Sequence, residues 1–474
     1  MKFLPLRTGW RIGLVGVLFF VSISSVRAQE KWKIHEWGTF TSLQDEQGEA
    51  IGGINTDDEP VPQFVHRLAN FILLRPTELP AFFCQGAPSC HPDVTMRLET
   101  PVIYFHPPKT ETNIQSANVR VKFHGGWLTE FYPYADPDAP GLKDDRFQFP
   151  HLLSSTESKL EWNDLEIGGD WQITNTTAHV WTSPRAVQTA TVRTTNDESE
   201  KFLFYRGVAH INAPLKISRD TNSGELLFRS QLEELPITKP LTIRSIWMVD
   251  IQQNGQIAFR PLPSISLESN SKKVLMHTPA AFRSGDFSAD NLEKLKTSLQ
   301  SALISDGLFA DEAQALLNTW ELSYFKSAGL RVFFLVPRAW TDFYLPLEIS
   351  QPADVNRVMV GRIELVTPDQ RLALQKISHY SPEKINEDAR LLAKNFYGSA
   401  APGQWDELTS GRKPLSAAMP VPKTYQTYLD LGRFRNALIL DEAKERHSEG
   451  LSAFISTYRL AAYKPTEIAS DSAR

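Results

Sequence analysis

Cysteine is scarce in this chain, which has only Cys84 and Cys90 among its 474 residues. A scaffold of several disulfides is therefore excluded, because two cysteines form at most one local bond. In an oxidising compartment we expect the two to pair, since the Gly-Ala-Pro between them can turn the chain back, and so short a loop contributes only about 2 kcal/mol. A Cys/Cys/His metal site that uses His91 is the alternative, whereas covalent haem needs the closer C-x-x-C-H spacing.

Long apolar runs are equally scarce, and the one that occurs lies at the start of the chain. Three basic residues, an uncharged apolar stretch and a small-residue cleavage pattern follow one another: Lys2, Arg7 and Arg11, then Ile12 to Ser25, then Val26-Arg27-Ala28. This order predicts a cleavable signal peptide at 1–28. The stretch of about 14 residues is too short for a membrane-spanning helix, which needs about 20, and an uncleaved anchor is the alternative. No second such stretch follows, so we expect a soluble periplasmic or secreted protein without a transmembrane segment.

Positive charge is too sparse for a nucleic-acid-binding surface. Lys and Arg number 50 against 55 Asp and Glu, for a formal charge of −5. Removal of 1–28 takes four basic residues and no acid, which moves the charge to −9. Phosphate backbones are bound by a basic stripe, and the sequence contains none, so no nucleic-acid partner is expected.

The common catalytic motifs are missing as well. The sequence has no G-x-S-x-G elbow, no Walker A loop, no G-x-G-x-x-G and no H-E-x-x-H. His35-Glu36 begins like the zinc motif, but Thr39 stands where the second histidine belongs. No motif therefore names a reaction.

What the sequence does contain, from residue 31 to about 263, is the apolar–polar alternation of β-strands. The segments that show it best are 117–124, 201–211, 224–232 and 241–251. Hairpin turns are predicted at 221–224 and 253–256, because Ser-Gly and Asn-Gly accept the positive φ of two-residue turns. This half is predicted to be an antiparallel sandwich or barrel, with a helical pattern at 64–74.

After about residue 285, helical and strand patterns mix, which makes the predicted fold class α+β. Helices are predicted from about 292, from about 313, near 368, at 389–396 and at 424–463 with a break at Gly450; strands are predicted at 330–336, 344–349 and 356–366. The domain plan is a signal peptide at 1–28, a β-rich domain at 29–285, a mixed α+β domain at 286–398, a linker at 399–422 and a C-terminal helical segment at 423–474.

Carboxylates set among aromatic residues are the most distinctive feature of the β-rich half. The glutamates are Glu36, Glu99, Glu130 and Glu161, and the tryptophans closest to them include Trp37 and Trp127. Sugar-binding sites pair flat rings with carboxylates, and glycosidases use two carboxyl groups as acid and base or nucleophile. The alternative is that these acids are the outward members of strands whose aromatic residues fill the core.

Histidines are concentrated in the same half and suggest a metal site. Six of them occur within about 117 residues: His35, His66, His91, His106, His124 and His151. Their spacing does not match an i, i+4 ligand pair, so a site would have to collect them from separate strands. His35 and His91 are the candidate ligands.

Two acidic loops are candidate calcium sites, because calcium takes six to eight oxygen ligands. They contain Asp45, Glu46, Glu49, Asp57, Asp58 and Glu59 in one and Asp136, Asp138, Asp144 and Asp145 in the other. Neither has the residue order of an EF-hand, and solvated loops are the alternative.

The strings HEWGTFTS, LETPVIYF, GWLTEFYP and PRAWTD resemble a family of exported bacterial proteins that carry the same segments. The resemblance extends from His35 to about Glu364. It implies export and a bacterial envelope setting, and it assigns no activity and no catalytic residues.

Three functions are therefore open from the sequence. The first is binding of a glycan or other envelope ligand through Trp37, Glu99 and Trp127. The second is a secreted hydrolase, either glycosidase-like with Glu36 or Glu130 as acid or base, or metal-assisted through His35. The third is a structural or assembly role in the envelope.

Overall fold

The computed structural model describes residues 31–56, 59–72, 83–108, 113–142, 149–232, 235, 240–268, 272–396 and 421–465. The predicted signal peptide and nearly all of the predicted linker lie outside these ranges. Within them the fold is α+β with mainly antiparallel sheets, as the alternation in the first half and the mixed patterns in the second predict. No helix in the described ranges has the length and apolar character needed to cross a bilayer.

The strands are β1 (Trp32–Gln44), β2 (His66–Arg67), β3 (Phe83–Cys84), β4 (Ala87–Pro88), β5 (Met96–His106), β6 (Gln115–His124), β7 (Gly126–Tyr132), β8 (Asp136–Asp138), β9 (Glu157–Ile167), β10 (Val192–Arg193), β11 (Ser199–Glu200), β12 (Leu203–Ala209), β13 (Leu215–Arg219), β14 (Glu225–Ser230), β15 (Leu241–Ile243), β16 (Ile246–Ile251), β17 (Ile257–Leu262), β18 (Ile265–Leu267), β19 (Met276–Pro279), β20 (Gly329–Leu335), β21 (Leu347–Ile349) and β22 (Ala353–Leu365).

The helices are α1 (Ala69–Ile72), α2 (His179–Thr182), α3 (Asn291–Ser305), α4 (Ala310–Thr319), α5 (Arg338–Tyr344), α6 (Pro368–Ser378), α7 (Pro382–Phe396), α8 (Gln426–Leu429), α9 (Arg435–Glu445) and α10 (Glu449–Tyr458). Single 3₁₀ turns lie at Pro184–Ala186 and Ser284–Asp286, and a π-turn at Glu321–Phe325 follows α4.

The largest sheet has nine strands in the order β17-β16-β20-β22-β1-β5-β12-β7-β2. Only the β1–β22 pair in it is parallel. Strands β20 and β22 belong to the predicted second domain, yet they lie between β16 and β1 of the predicted first domain. The two predicted segments thus share one sheet, and the boundary proposed at residue 285 does not divide it.

A second sheet of six strands runs β11-β10-β9-β6-β21, with β8 paired to β9. Alternate side chains of both sheets meet in one core, where Leu98 and Phe105 of β5 are buried with Val121 of β6 and Leu160 of β9. This face-to-face packing explains the alternation in β6 and β9, since these strands bury one face and leave the other largely exposed.

Helices cover the other face of the nine-stranded sheet. Leu295 and Leu299 of α3 and Leu316 of α4 are buried in one cluster with Trp37 of β1 and Val358 of β22. The C-terminal helices α6 to α10 form a third apolar cluster with Trp127 of β7.

Both predicted hairpins are confirmed, because residues 221–224 join β13 to β14 and residues 253–256 join β16 to β17. The helix at 64–74 was wrong at its start, where His66 and Arg67 pair with β7 at the sheet edge. The predicted break in the C-terminal helical stretch occurs, but at 446–448 between α9 and α10 and not at Gly450, which lies inside α10. A side chain there would come within 2.6 Å of the Tyr380 carbonyl oxygen, so glycine permits the close approach of α10 to the α6–α7 turn.

Candidate metal centre

Two histidines from neighbouring strands lie beside one glutamate from a helix. In the β1–β5 ladder Lys33 is opposite His106 and His35 is opposite Tyr104, so the histidines are diagonal neighbours on one face. The His35 Nδ1 atom is 2.7 Å from Glu312 Oε2, and His106 Nε2 is 2.8 Å from Glu312 Oε1. One potential ligand atom from each of the three lies within 4.8 Å of the others.

Glu312 is placed by the start of α4. Its carboxylate accepts a hydrogen bond of 2.7 Å from the backbone N–H of Phe309, which precedes the helix. Burial alone raises the pKa of Glu312, but hydrogen bonds from His106 and His35 outweigh burial and lower the pKa below its usual 4.5. The group is therefore a carboxylate at neutral pH, which a metal ligand must be.

Phe309 also packs against both imidazoles. Its ring centroid lies 4.5 Å from that of His35 and 4.9 Å from that of His106. His35 and Glu312 are buried and His106 is partly exposed, so the group is closed on the protein side and open at His106.

A pocket of about 460 Å³ begins at that open side, with His106 in its wall. Its remaining described lining is uncharged: Trp32, Pro107, Asn113, Gly168, Gly169, Gln188, Thr189, Ala190 and Thr191. Two contacts hold one wall in place. The Thr189 hydroxyl donates to the Phe105 carbonyl oxygen at 2.9 Å, and the Gln188 N–H donates to Asp311, the residue before Glu312, also at 2.9 Å.

The three residues are of the types that bind a transition metal. Two imidazoles and one carboxylate form the ligand set of many catalytic zinc sites, in which the fourth position holds water or substrate. Here His106, the partly exposed member of the three, lines the pocket.

The predicted catalytic residue Glu36 has a different environment. It is completely buried and accepts hydrogen bonds from the Tyr205 hydroxyl and the Arg357 Nε atom. Burial alone lowers the pKa of Arg357, but the Glu36 carboxylate outweighs it and raises that pKa above its ordinary value. Arg357 also donates to the exposed Asp342 at 2.9 Å, so Glu36 is the buried end of an ion-pair network that reaches the surface at Asp342.

Glu99 and Glu130 are likewise bound by arginines. Burial raises the pKa of Glu99, but Arg433, Arg97 and Arg362 outweigh it and lower the pKa to about 2. Glu130 accepts hydrogen bonds from Arg206 and, at 3.1 Å, from Arg67.

Glu99 and Arg206 line one shared cavity of about 10 Å³, which is the size of a single water. A sugar ring does not fit in it.

The predicted aromatic platform is not exposed. Trp37 and Trp127 have exposed fractions of 0% and 1% and lie in different apolar clusters. Neither ring presents a face to a ligand, because the alternation that places each one on its strand also turns it into a core. Glu161 does lie at the surface, where Arg120 and Lys159 pair with it.

Of the two predicted metal ligands, the structure brings only His35 into a group of three. His91 is buried elsewhere, and its Nε2 atom lies 3.1 Å from the Pro150 carbonyl oxygen. The Asp93 N–H donates to its Nδ1 at 3.3 Å, so both ring nitrogens are used in the neutral form. Burial lowers the pKa of His91 to about 4.

Cys84 and Cys90 are both buried, near the β3–β4 hairpin, and their disulfide stays a prediction. The acidic loops are only partly described. Among their described residues, Glu46 pairs with Arg371, Glu49 with Lys216 and Asp138 with Lys159. Asp57, Asp58, Asp144 and Asp145 lie outside the described ranges, and calcium at either loop stays a prediction.

Glu312 was missed altogether by sequence reasoning, and His106 was noted only as one histidine among six. Glu312 lies 206 residues from His106, and an acid in the first turn of a helix predicts only a cap. The pairing of β1 with β5 is what places His106 beside His35.

No protein-family model matches the chain, and no curated protein matches it in sequence. Among solved structures, the chain is similar to the yeast delta-COP-I mu-homology domain complexed with a Dsl1 WxWxV peptide, at 8% identity and a TM-score of 0.27 over 71% of this chain and 98% of that one. The Fcho1 mu homology domain of Danio rerio with a bound Eps15 peptide gives 8% identity and a TM-score of 0.28 over 71% and 97%. TM-scores this low do not establish a common fold.

Proposed function

We propose that the protein is a metal-dependent hydrolase whose metal is bound by His35, His106 and Glu312. One observation carries the proposal: three ligand atoms from two strands and a helix lie within 4.8 Å of one another, and one of the three residues, His106, lines a pocket.

The rigidity of the supporting elements favours this function. β1 and β5 are adjacent, near the middle of the nine-stranded sheet, and α4 packs on the same face, so the three ligands are held before any metal arrives. A divalent metal bound there would polarise a carbonyl oxygen and lower the pKa of a bound water to about 7.

A glycosidase that uses Glu36 and Glu130 receives no such support. Each carboxylate is bonded to arginine, and an acid catalyst needs an environment that keeps its proton. Arginine does the opposite, because it stabilises the charged carboxylate.

The experiment is metal analysis of the purified protein together with two substitutions that imitate the imidazoles. His35→Asn replaces Nδ1 by an amide nitrogen at a similar position, and His106→Gln does the same for Nε2. Both keep a hydrogen-bond donor for Glu312, but an amide nitrogen is not a metal ligand. A matched control is His66→Gln, since His66 Nε2 makes a similar bond of 2.9 Å to Glu198 outside the group.

We expect about one zinc or related ion per chain in the wild type and in His66→Gln, and a loss of nearly all of it in His35→Asn and His106→Gln. All four proteins should keep the same far-UV circular dichroism. Equal metal content in all four, or none in the wild type after incubation with zinc, would overturn the proposal.

The predicted signal peptide and the resemblance to exported bacterial proteins support a place of action outside the cytoplasm. N-terminal sequencing of the protein from a bacterial periplasm should then begin at Gln29, whereas a chain that starts at Met1 in the cytosol contradicts it.

A further inference from the structure

Resting on the metal centre proposed above, we propose that the pocket beside it binds a neutral sugar that carries an acyl group. The reaction is hydrolysis of that acyl amide or ester.

The composition of the pocket supports a neutral, hydroxyl-rich ligand. Apart from His106, the described lining residues are uncharged, and Asn113, Gln188 and Thr191 offer side-chain donors and acceptors. Trp32 supplies an aromatic ring that is only partly buried, unlike Trp37 and Trp127. A volume of about 460 Å³ is also within the range of small-molecule sites.

The lack of carboxyl groups among the described residues of that wall favours acyl transfer over cleavage of a glycosidic bond. Glycosidases place two carboxyl groups on either side of the bond, and the described lining of this pocket contains none. Asp311 is the neighbouring acid, and its two oxygens accept the backbone N–H groups of Gln188 and Glu312. A metal acts instead on a carbonyl oxygen, which an acyl group provides and an acetal lacks.

The step consumes one water. A metal held by His35, His106 and Glu312 would polarise the acyl carbonyl and a water; the water would give one proton to solvent while its oxygen bonds to the acyl carbon. The bond from that carbon to the sugar nitrogen or oxygen then breaks with its electron pair, and the sugar atom takes a proton from solvent. The products are a carboxylic acid, which loses its proton to solvent and becomes a carboxylate, and a free sugar amine or hydroxyl.

The test uses the full mature protein loaded with zinc and measures acetate release. One probe is tri-N-acetylchitotriose, whose acetyl groups are amides, and the other is an O-acetylated xylo-oligosaccharide, whose acetyl groups are esters. p-Nitrophenyl acetate is a third probe that has no sugar. Trp32→Ala and Gln188→Ala alter the pocket, and Gln252→Ala, in the exposed turn after β16, is the control.

We expect acetate from at least one of the two sugars. In Trp32→Ala and Gln188→Ala we expect kcat/KM for that sugar to fall about tenfold or more while zinc content stays at the wild-type value. Gln252→Ala should match the wild type. The sugar that reacts identifies the bond as amide or ester.

Two failures can be told apart. If the zinc-loaded wild type cleaves p-nitrophenyl acetate but releases no acetate from either sugar, the substrate inference is overturned and the hydrolase proposal stands. The substrate inference is also overturned if both pocket variants keep wild-type kcat/KM for the sugars. If no metal binds, or if zinc loading gives no hydrolysis of any probe, the metal-dependent hydrolase proposal itself is overturned.

Discussion

Two kinds of buried glutamate lie on the nine-stranded sheet and the elements packed on it, and they differ in their partners. Glu36, Glu99 and Glu130 are bound by arginines, whereas Glu312 is bound by two imidazoles. All four are buried. Burial alone therefore does not separate the structural carboxylates from the candidate chemical one.

The identity of the partner separates them. An arginine keeps its proton at any physiological pH and donates hydrogen bonds to the lone pairs of the carboxylate. Such a carboxylate has little capacity left to bind a metal or a substrate. A neutral imidazole keeps a nitrogen lone pair that a metal can use. A carboxylate between two imidazoles can therefore still take part in binding a metal ion.

The largest effect is expected where one member of a buried arginine pair is removed. Glu36→Gln leaves the Arg357 charge without its main partner in the core, which should lower the free energy of unfolding by about 3–5 kcal/mol. Urea denaturation at pH 7 measures it. The double variant Glu36→Leu/Arg357→Met should recover most of the loss, and a double variant as unstable as the single one contradicts the ion-pair explanation.

A pH effect is expected at His91, an imidazole whose two nitrogens are satisfied only in the neutral form. Its pKa of about 4 in the fold lies below the unfolded value of 6.5, so the unfolded chain takes up its proton first as the pH falls. Neutral His91 therefore contributes about 3 kcal/mol to the free energy of unfolding. This contribution is complete above pH 6.5 and is lost as the pH falls from 6.5 to about 4.

His91→Gln keeps a donor for the Pro150 carbonyl oxygen and removes the titration. The stability gap between the wild type and this variant, measured by denaturation from pH 7 to pH 4, should therefore shift by that amount in favour of the variant. A gap that is constant with pH would show that His91 does not titrate in this range.

Zinc should stabilise the folded protein only through the site formed by His35, His106 and Glu312. Zinc at about 100 times its dissociation constant should raise the free energy of unfolding by about 2.7 kcal/mol in the wild type, because it binds only the folded state. Glu36→Gln should gain the same increment from its lower baseline, and His35→Asn should gain nothing. Thermal denaturation with and without zinc measures all three, and a gain in His35→Asn would place the zinc elsewhere.

The smallest effect is expected at Glu161, whose arginine partner Arg120 lies at the surface. Glu161→Gln should leave the unfolding midpoint unchanged within error, because water replaces the lost partner. A clear loss of stability would mean that arginine pairing matters regardless of burial, and the contrast with Glu36 would disappear.

Much of the fold could be predicted from local patterns. The alternation at 117–124 and 201–211 predicts β6 and β12, and the two Gly-containing turns predict two hairpins, because these signals depend on neighbours in sequence. The helix predicted at 64–74 is wrong at its start because β2 forms there by pairing with β7. A local sequence pattern does not predict that pairing.

The candidate site was predictable only in part. His35 could be chosen as a metal ligand, but the choice of His91 beside it depended on residue type alone. His106 and Glu312 join His35 through the β1–β5 register and the packing of α4, and both are contacts between residues far apart in the chain.

Composition and short segments are enough to predict the strand and turn pattern, the acidic net charge, the absence of common catalytic motifs and export. Long-range packing determines which carboxylates contact arginine and which one contacts imidazole. That distinction depends on partners drawn from separate strands and helices, and the free energy of a buried charge depends on those partners far more than on its neighbours in sequence.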